Sequence, residues 1–257
     1  MMTLGAFFTY TLVTVLAAAG LVLPVPLGIA LMPIAMVITA IVALGIDRGF
    51  YAPLRRKGAK PVTLLIASVG VTLMMQGLIR LFYGTSTRTF FEHEPKDIFR
   101  LDTAFMGGTR PITITEPQLL MFVLVVVAVL ALHFFLTGSR LGKGMRAMAD
   151  NPDLAQVSGI NTALVVRVTL VLAGALACMA GTMLALDVSL KPDLAFNIIL
   201  PIFAAAVVGG LGQTYGAIAG GLLVGFAETL AVFDWSVFLR PFREHLPEWL
   251  ATAQGLS

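Results

Sequence analysis

Apolar segments of about 20 residues recur along most of this chain, and they restrict its fold more than any other feature. Each run is long enough to cross the hydrocarbon core of a bilayer, where backbone polar groups must be paired within the segment, so the runs predict helices. They lack the alternation of apolar and polar residues that is typical of outer-membrane barrels. Charged residues make up 12% of the chain, against about 25% in soluble domains. The clearest runs are Leu4 to Leu23, Leu27 to Ile46, Val62 to Tyr83, Gln118 to Leu136 and Val165 to Leu186.

We therefore predict an all-α, polytopic transmembrane helical bundle with about six to seven spans over residues 1–233. The last apolar region is less regular, because Ile198 to Val208 is only about half a span long and leads through glycines into the run from Tyr215 to Phe233. Either a half-helix enters the membrane, breaks and continues, or two spans are joined by a tight glycine turn; the second interpretation is slightly favoured, with the first span short or tilted. Asp234 to Ser257 is rich in charged residues, so we expect a polar, interfacial C-terminal tail.

The charges of the loops predict the orientation of the bundle. Residues 47–60 carry five basic side chains and one acid, and residues 137–164, with Arg167 just beyond them, carry four basic side chains and two acids. Residues 84–117 carry four basic side chains and five acids, and residues 187–197 have a single basic side chain. The positive-inside rule places the first two loops in the cytoplasm and the other two outside.

A polar segment, Ser139 to Asn161, carries the signals of a short capped helix between two spans. Asn151 is a favoured N-cap, Pro152 is a favoured first helical residue, and Gly159 is a favoured stop. The predicted helix extends from Pro152 to Ser158, which is about two turns or roughly 10 Å. The residues alone support two interpretations equally: a helix that is presented to a partner, and an ordinary connecting loop.

The chain shows no nucleotide-binding or catalytic motif. Gly138 to Gly144 departs from a phosphate-binding loop, because three residues rather than four separate its first two glycines and Gly follows Lys143. Any active transport therefore depends on an ion gradient or on another polypeptide. Ionisable residues within the spans are scarce and lie near segment ends, which disfavours ion coupling. We expect no catalytic residue, no metal site and no cofactor.

Two further patterns carry candidate residues. Ser68, Thr72 and Gln76 are spaced by four, so they share one helix face, which either lines the path of a small polar solute or hydrogen-bonds to neighbouring helices. Small residues spaced by four let helices approach closely, and we predict a helix-packing role for five glycines: Gly212, Gly216, Gly220, Gly221 and Gly225.

The segment Arg146 to Asn161 resembles the cytoplasmic loop of the branched-chain amino-acid permease family of bacterial ABC importers. The segment Ala204 to Leu230 resembles the C-terminal signature of that family, and the opening MMTLGAFFTYTLV and the basic stretch Phe50 to Gly58 are also similar. The resemblance covers most of residues 1–233. Members usually have a further hydrophobic segment at each end, and we expect this chain to lack both.

The resemblance implies an inner-membrane permease subunit that moves branched-chain or similar amino acids by alternating access. It implies ABC ATPase subunits, a second, homologous permease subunit and a periplasmic substrate-binding protein as partners, and no nucleic acid. The short helix would dock on the ATPase. An ion-coupled secondary transporter or channel for a small polar solute is the alternative, and related permeases that handle amides or urea leave the solute open. The implied ATPase-coupling residues are Arg146, Asp150, Asn151, Pro152, Leu154, Ala155 and Gly159.

Overall fold

The computed structural model describes residues 1–19, 27–90, 98–101, 112–210 and 212–232. Within these ranges the chain is mainly helical, and five helices are long and apolar enough to cross a membrane by length and composition. Two shorter apolar helices accompany them. These helices confirm the predicted all-α polytopic bundle. The predicted C-terminal tail, residues 234–257, lies outside the described residues.

The helices of the described ranges are, in chain order, α1 (Met2–Ala18), α2 (Leu27–Ala30), α3 (Met32–Ile46), α4 (Ala52–Arg56), α5 (Pro61–Tyr83), α6 (Glu116–Gly138), α7 (Arg140–Asp150), α8 (Pro152–Val157), α9 (Thr162–Asp187), α10 (Leu194–Asn197), α11 (Ile199–Gly209) and α12 (Thr214–Val232). Two short antiparallel strands, β1 (Ile98–Leu101) and β2 (Ile112–Thr115), pair Ile98 with Thr115 and Leu101 with Ile112. This hairpin lies in the predicted outer loop and was not anticipated from the sequence.

The chain divides into two compact units, residues 1–197 and 198–257. In the first unit, α1, α3 and α9 pack closely through small residues. A Cβ added at Gly5 of α1 would lie 2.6 Å from the Cα of Cys178 in α9, and one added at Gly174 of α9 would lie 3.1 Å from the Cβ of Ala43 in α3. Backbones that touch in this way gain van der Waals contact, which is the main attraction between helices in lipid.

An aromatic cluster joins α1 to the end of α5 in the same unit. The rings of Phe7 and Tyr83 lie 4.6 Å apart, and the guanidinium of Arg88 lies 5.4 Å from the ring centre of Tyr10. Arg88 also pairs through its backbone with Leu190, which follows α9, with N···O distances of 3.0 and 2.8 Å. The segments that follow α5 and α9 are therefore held together beside α1.

The basic segment at residues 47–60 is more regular than the sequence indicates. A π-helical turn, Asp47–Tyr51, joins α3 to α4, so one continuous helix reaches Arg56. The Nη2 atom of Arg55 donates to the Oδ1 atom of Asp47 at 2.5 Å, and Asp47 is buried. Pairing with Arg55 offsets the burial of the single acid, and Arg55 and Arg56 in the last turn lie at the negative end of the helix dipole, so both features favour the continued helix.

The second unit is described as a helical hairpin. α11 and α12 pack antiparallel, since Gly209 meets Gly216 and Ala205 meets Gly220, and the turn between them includes Gly210 and Gly212 with φ of +89° and +92°. α11 has 11 residues, or about 16 Å, which is about half the thickness of the hydrocarbon core. The hairpin is consistent with two segments joined by a glycine turn, the first of them short, and the two-span interpretation of this region stays a prediction.

Candidate functional site

The short helix predicted in the polar segment is present as α8. It begins at Pro152 and ends at Val157, one residue earlier than expected. The side-chain Oδ1 of Asn151 accepts hydrogen bonds from the backbone N–H groups of Asp153 and Leu154, both at 3.1 Å, which is the geometry of an N-cap. Gly159 follows the helix with φ of +83°, a left-handed conformation that favours glycine and ends helices.

α8 presents apolar side chains away from the rest of the described chain. Leu154 is 63% exposed and Val157 is 87% exposed, whereas Ala155 between them is 4% exposed and fixes the helix to its neighbours. Arg146 and Asp150, near the end of α7, are also exposed. Leu154 and Val157 therefore form the exposed apolar surface of this six-residue helix.

A second helix, α7, precedes α8 and was not predicted. The side-chain hydroxyl of Ser139 accepts from the backbone N–H of Gly142 at 2.8 Å and caps α7. Asp150 is therefore the last residue of α7 rather than part of the start of α8, and Asn151 separates the two helices. The missed signal was helical spacing: Arg140, Lys143 and Arg146 recur every three residues, and Leu141, Met145 and Met148 are spaced by four and three.

The candidate path residues on α5 differ in their partners. The hydroxyl of Ser68 donates to the carbonyl of Leu65 at 2.7 Å, and that of Thr72 donates to the carbonyl of Ser68 at 2.8 Å. Both hydroxyls are therefore used within their own helix. Gln76 instead reaches out of the helix, and its Nε2 lies 3.5 Å from the Oδ1 of Asp193.

Asp193, which contacts the candidate path residue Gln76, was not among the residues predicted from the sequence. Its Oδ1 also accepts from the Nη2 of Arg80 at 2.5 Å, and both side chains are about half exposed, at 48% and 49%. Arg80 follows Gln76 by four residues, so both lie on one face of α5. The cluster of Gln76, Arg80 and Asp193 therefore places a cation, an anion and an amide at one end of the polar face.

The five predicted packing glycines have three different surroundings. A Cβ added at Gly216 would overlap the carbonyl oxygen of Gly209, and one at Gly220 would overlap that of Ala205, so both lie in the helix contact. Gly212 differs from the prediction, because it lies in the turn before α12. Gly221 and Gly225 meet no described atom within 4 Å. At about 100° per residue, they lie about 140° and 180° around the helix from Gly216 and face away from α11.

Residues 1–249 match the family described as branched-chain amino acid transport system / permease component. The chain is 29% identical over 226 residues to the high-affinity branched-chain amino acid transport system permease protein BraD of Pseudomonas aeruginosa, covering 88% of this chain and 72% of that relative. It is 31% identical over 205 residues to the corresponding protein LivH of Escherichia coli, covering 77% of this chain and 62% of that relative.

A sugar permease is also similar. The chain is 29% identical over 227 residues to the galactose/methyl galactoside import permease protein MglC of Salmonella typhimurium, covering 84% of this chain and 64% of that relative. No solved structure matches the chain.

Proposed function

Because this chain belongs to the family of permease components of branched-chain amino acid transport systems, we propose that it is the transmembrane subunit of an ABC importer in a bacterial inner membrane. It moves branched-chain or similar amino acids by alternating access, in which the bundle opens to one side of the membrane at a time. Two ATPase subunits supply the energy. A second, homologous permease subunit and a periplasmic substrate-binding protein complete the importer.

The observation that carries this proposal is the structure of α8. The helix is capped by Asn151, ended by Gly159, and exposes Leu154 and Val157 in a segment of basic character. The charge of the loops supports a cytoplasmic position for it. The sequence has no nucleotide-binding motif. If ATP hydrolysis on another polypeptide drives transport by this chain, the chain therefore needs a surface on which that polypeptide docks.

The way α8 is held supports a role in transmitting force. Gly144 of α7 lies against Ile160 and Val165, since an added Cβ would lie 3.5 and 3.6 Å from their methyl groups. Ile160 is also tied to α8, because its backbone N–H donates to the carbonyl of Ala155 at 3.0 Å, so a displacement of α8 reaches the start of α9 through Ile160. α9 packs on α1 and α3 through backbone contacts, so these helices move together more readily than they separate.

The cluster of Gln76, Arg80 and Asp193 carries charges that suit a zwitterionic amino acid as the solute. A zwitterionic amino acid carries a carboxylate and an ammonium, and these groups can exchange with the two members of the Arg80–Asp193 pair. A neutral sugar carries neither charge. We assign the outer end of the translocation path to this cluster, with Thr72 and Ser68 further along the same helix.

Reconstitution tests this proposal. The chain is placed in vesicles with ABC ATPase subunits and a second permease subunit of the branched-chain amino acid type, and uptake of labelled leucine and galactose is measured with a leucine-binding and a galactose-binding protein. We expect leucine uptake that requires ATP and the ATPase subunits, with little galactose uptake. Leucine uptake driven by a proton gradient without ATPase subunits would establish the secondary transporter instead, and uptake of galactose alone would overturn the amino-acid assignment.

A further inference from the structure

A groove separates α7 from the first turn of α9. Its volume is about 340 Å³, and most of its lining is apolar, with Leu141 and Ala147 on the α7 side and Ile160 and Leu164 on the α9 side. The backbone of Gly144 lies against Ile160 at the contact between the two sides. The groove therefore offers apolar surface to a ligand without a deep cavity.

Two cations lie beside this apolar surface. Arg140 and Lys143 line the groove, both are exposed, and their spacing of three residues puts them on the same side of α7. In the part of the chain that the structure describes, neither forms an ion pair, whereas Arg55 and Arg80 do. The groove thus combines an apolar wall with two positive charges that have no carboxylate partner within those ranges.

The position of the groove along two spans sets its depth in the membrane. The candidate span of α6 ends at Gly138, two residues before Arg140, and the candidate span of α9 begins at Thr162, two residues before Leu164. At about 1.5 Å per residue, Leu164 lies about 3 Å inside the start of its span. Arg140 and Leu164 therefore lie near the boundary between the lipid headgroups and the acyl chains, and Leu141, Ala147 and Ile160 lie just outside the two candidate spans, on the headgroup side of that boundary.

We propose that this groove binds one anionic phospholipid of the leaflet that faces α8. The phosphate lies between Arg140 and Lys143, the glycerol lies against Leu141 and Ala147, and the upper acyl chain lies against Leu164. A zwitterionic lipid carries no net charge to match the two cations, so the site discriminates by headgroup charge. The inference uses the membrane placement of α6 and α9 and does not depend on the transported solute.

The first experiment measures lipid retention by native mass spectrometry. The full chain, purified in detergent, is titrated with phosphatidylglycerol or with phosphatidylcholine. We expect one tightly retained phosphatidylglycerol and no retained phosphatidylcholine. The double variant Arg140→Gln/Lys143→Gln is expected to weaken retention about tenfold or more. The control Lys60→Gln/Arg167→Gln removes two exposed cations outside the groove and is expected to retain the lipid.

A second variant tests the apolar half of the site. Ala147→Phe fills the groove and leaves both cations in place, so it is expected to abolish retention as well. If Ala147→Phe leaves lipid retention unchanged, the groove is not the binding site. Only diffuse attraction between basic residues and anionic lipid would then explain the retention. Thermal unfolding of each variant in detergent shows that the loss does not come from misfolding.

Two further arms identify the ligand. Inorganic phosphate at millimolar concentration should not displace the phospholipid, because it cannot use the apolar wall. Displacement by phosphate would overturn the lipid assignment in favour of free phosphate. The same measurement on the complex with its ATPase subunits should still find the lipid, and its absence there would mean that the ATPase occupies this surface.

Discussion

The side-chain hydroxyls of Thr9 in α1 and Thr182 in α9 lie 2.9 Å apart, and both residues are fully buried. Each hydroxyl also lies within hydrogen-bond distance of a carbonyl in its own helix, at 3.1 Å for Gly5 and 2.9 Å for Cys178. A hydroxyl has one proton to donate, so two of the three contacts are hydrogen bonds at any moment. One threonine donates to the other, which donates to its own backbone, and this fixes the register of α1 on α9.

We predict that Thr182→Val lowers the stability of the bundle by about 0.6 kcal/mol, and by no more than about 1.7 kcal/mol. The substitution keeps the shape of the side chain and removes both contacts of the Thr182 hydroxyl, but the net loss is one hydrogen bond, because Thr9 can still donate to Gly5. Unfolding in mixed micelles measures the change, and the cycle with Thr9→Val isolates the pair. A coupling energy near zero would show that the two hydroxyls act independently.

Gly5→Ala should destabilise the bundle more strongly, by about 1 to 3 kcal/mol. The new Cβ would lie 2.6 Å from both the Cα and the Cβ of Cys178, so the backbones of α1 and α9 must separate. Gly70→Ala in α5 is the matched control, because no described atom lies within 4 Å of its new Cβ. Equal effects of the two substitutions on unfolding would contradict this account of the α1–α9 contact.

Leu154→Glu and Arg146→Glu should uncouple transport from ATP hydrolysis in the reconstituted importer. Leu154 is 63% exposed, so its substitution leaves stability within about 0.5 kcal/mol while it places a charge in the proposed docking surface. Uptake per ATP hydrolysed should fall about tenfold, the loss that about 1.4 kcal/mol added to the barrier of the coupled step produces. Lys60→Glu, an exposed residue of another basic loop, should leave the ratio unchanged. If transport stays coupled to ATP hydrolysis in both Leu154→Glu and Arg146→Glu, α8 is not the docking element.

Asn151→Ala should weaken coupling by loosening α8 rather than by changing its surface. The alanine side chain cannot accept the hydrogen bonds from Asp153 and Leu154, and the loss of such a cap costs about 1 kcal/mol. Asn151→Ser restores an acceptor and should restore coupling. Hydrogen exchange of the α8 amides checks the cause, since the alanine variant should exchange faster at these residues while α9 remains protected.

Asp193→Asn should raise the KM for leucine about tenfold and change the stability by less than about 1 kcal/mol, because the pair with Arg80 is about half exposed. Asp187→Asn is the control, since Asp187 is exposed and lies at the end of the preceding helix. If Asp193→Asn leaves the KM for leucine unchanged in initial-rate uptake assays, the cluster of Gln76, Arg80 and Asp193 is not part of the translocation path. An equal rise in both variants would indicate a general effect of loop charge.

The prediction of α8 succeeded because its signals are local. The cap joins Asn151 to an N–H only three residues away, so composition over a few positions determines the start of the helix. α7 was missed because its two glycines lower helix propensity. Gly142 is nevertheless required, since a Cβ there would lie 2.6 Å from the Cα of Leu136 at the end of α6. That constraint comes from a close approach, which propensity does not describe.

The sequence by itself determined that the chain crosses a membrane as helices, which of its loops are basic, and where the short capped helix begins. Each of these depends on one segment and its solvent, because backbone pairing in lipid is satisfied within a single helix. Only the tertiary structure decided that Asp193 meets Arg80, 113 residues earlier, and that Thr9 meets Thr182 across 173 residues. It also separated the glycines that pack α12 on α11 from those that face away. Such contacts depend on how helices approach one another, and that approach is set by the whole surface of each helix rather than by spacing along one of them.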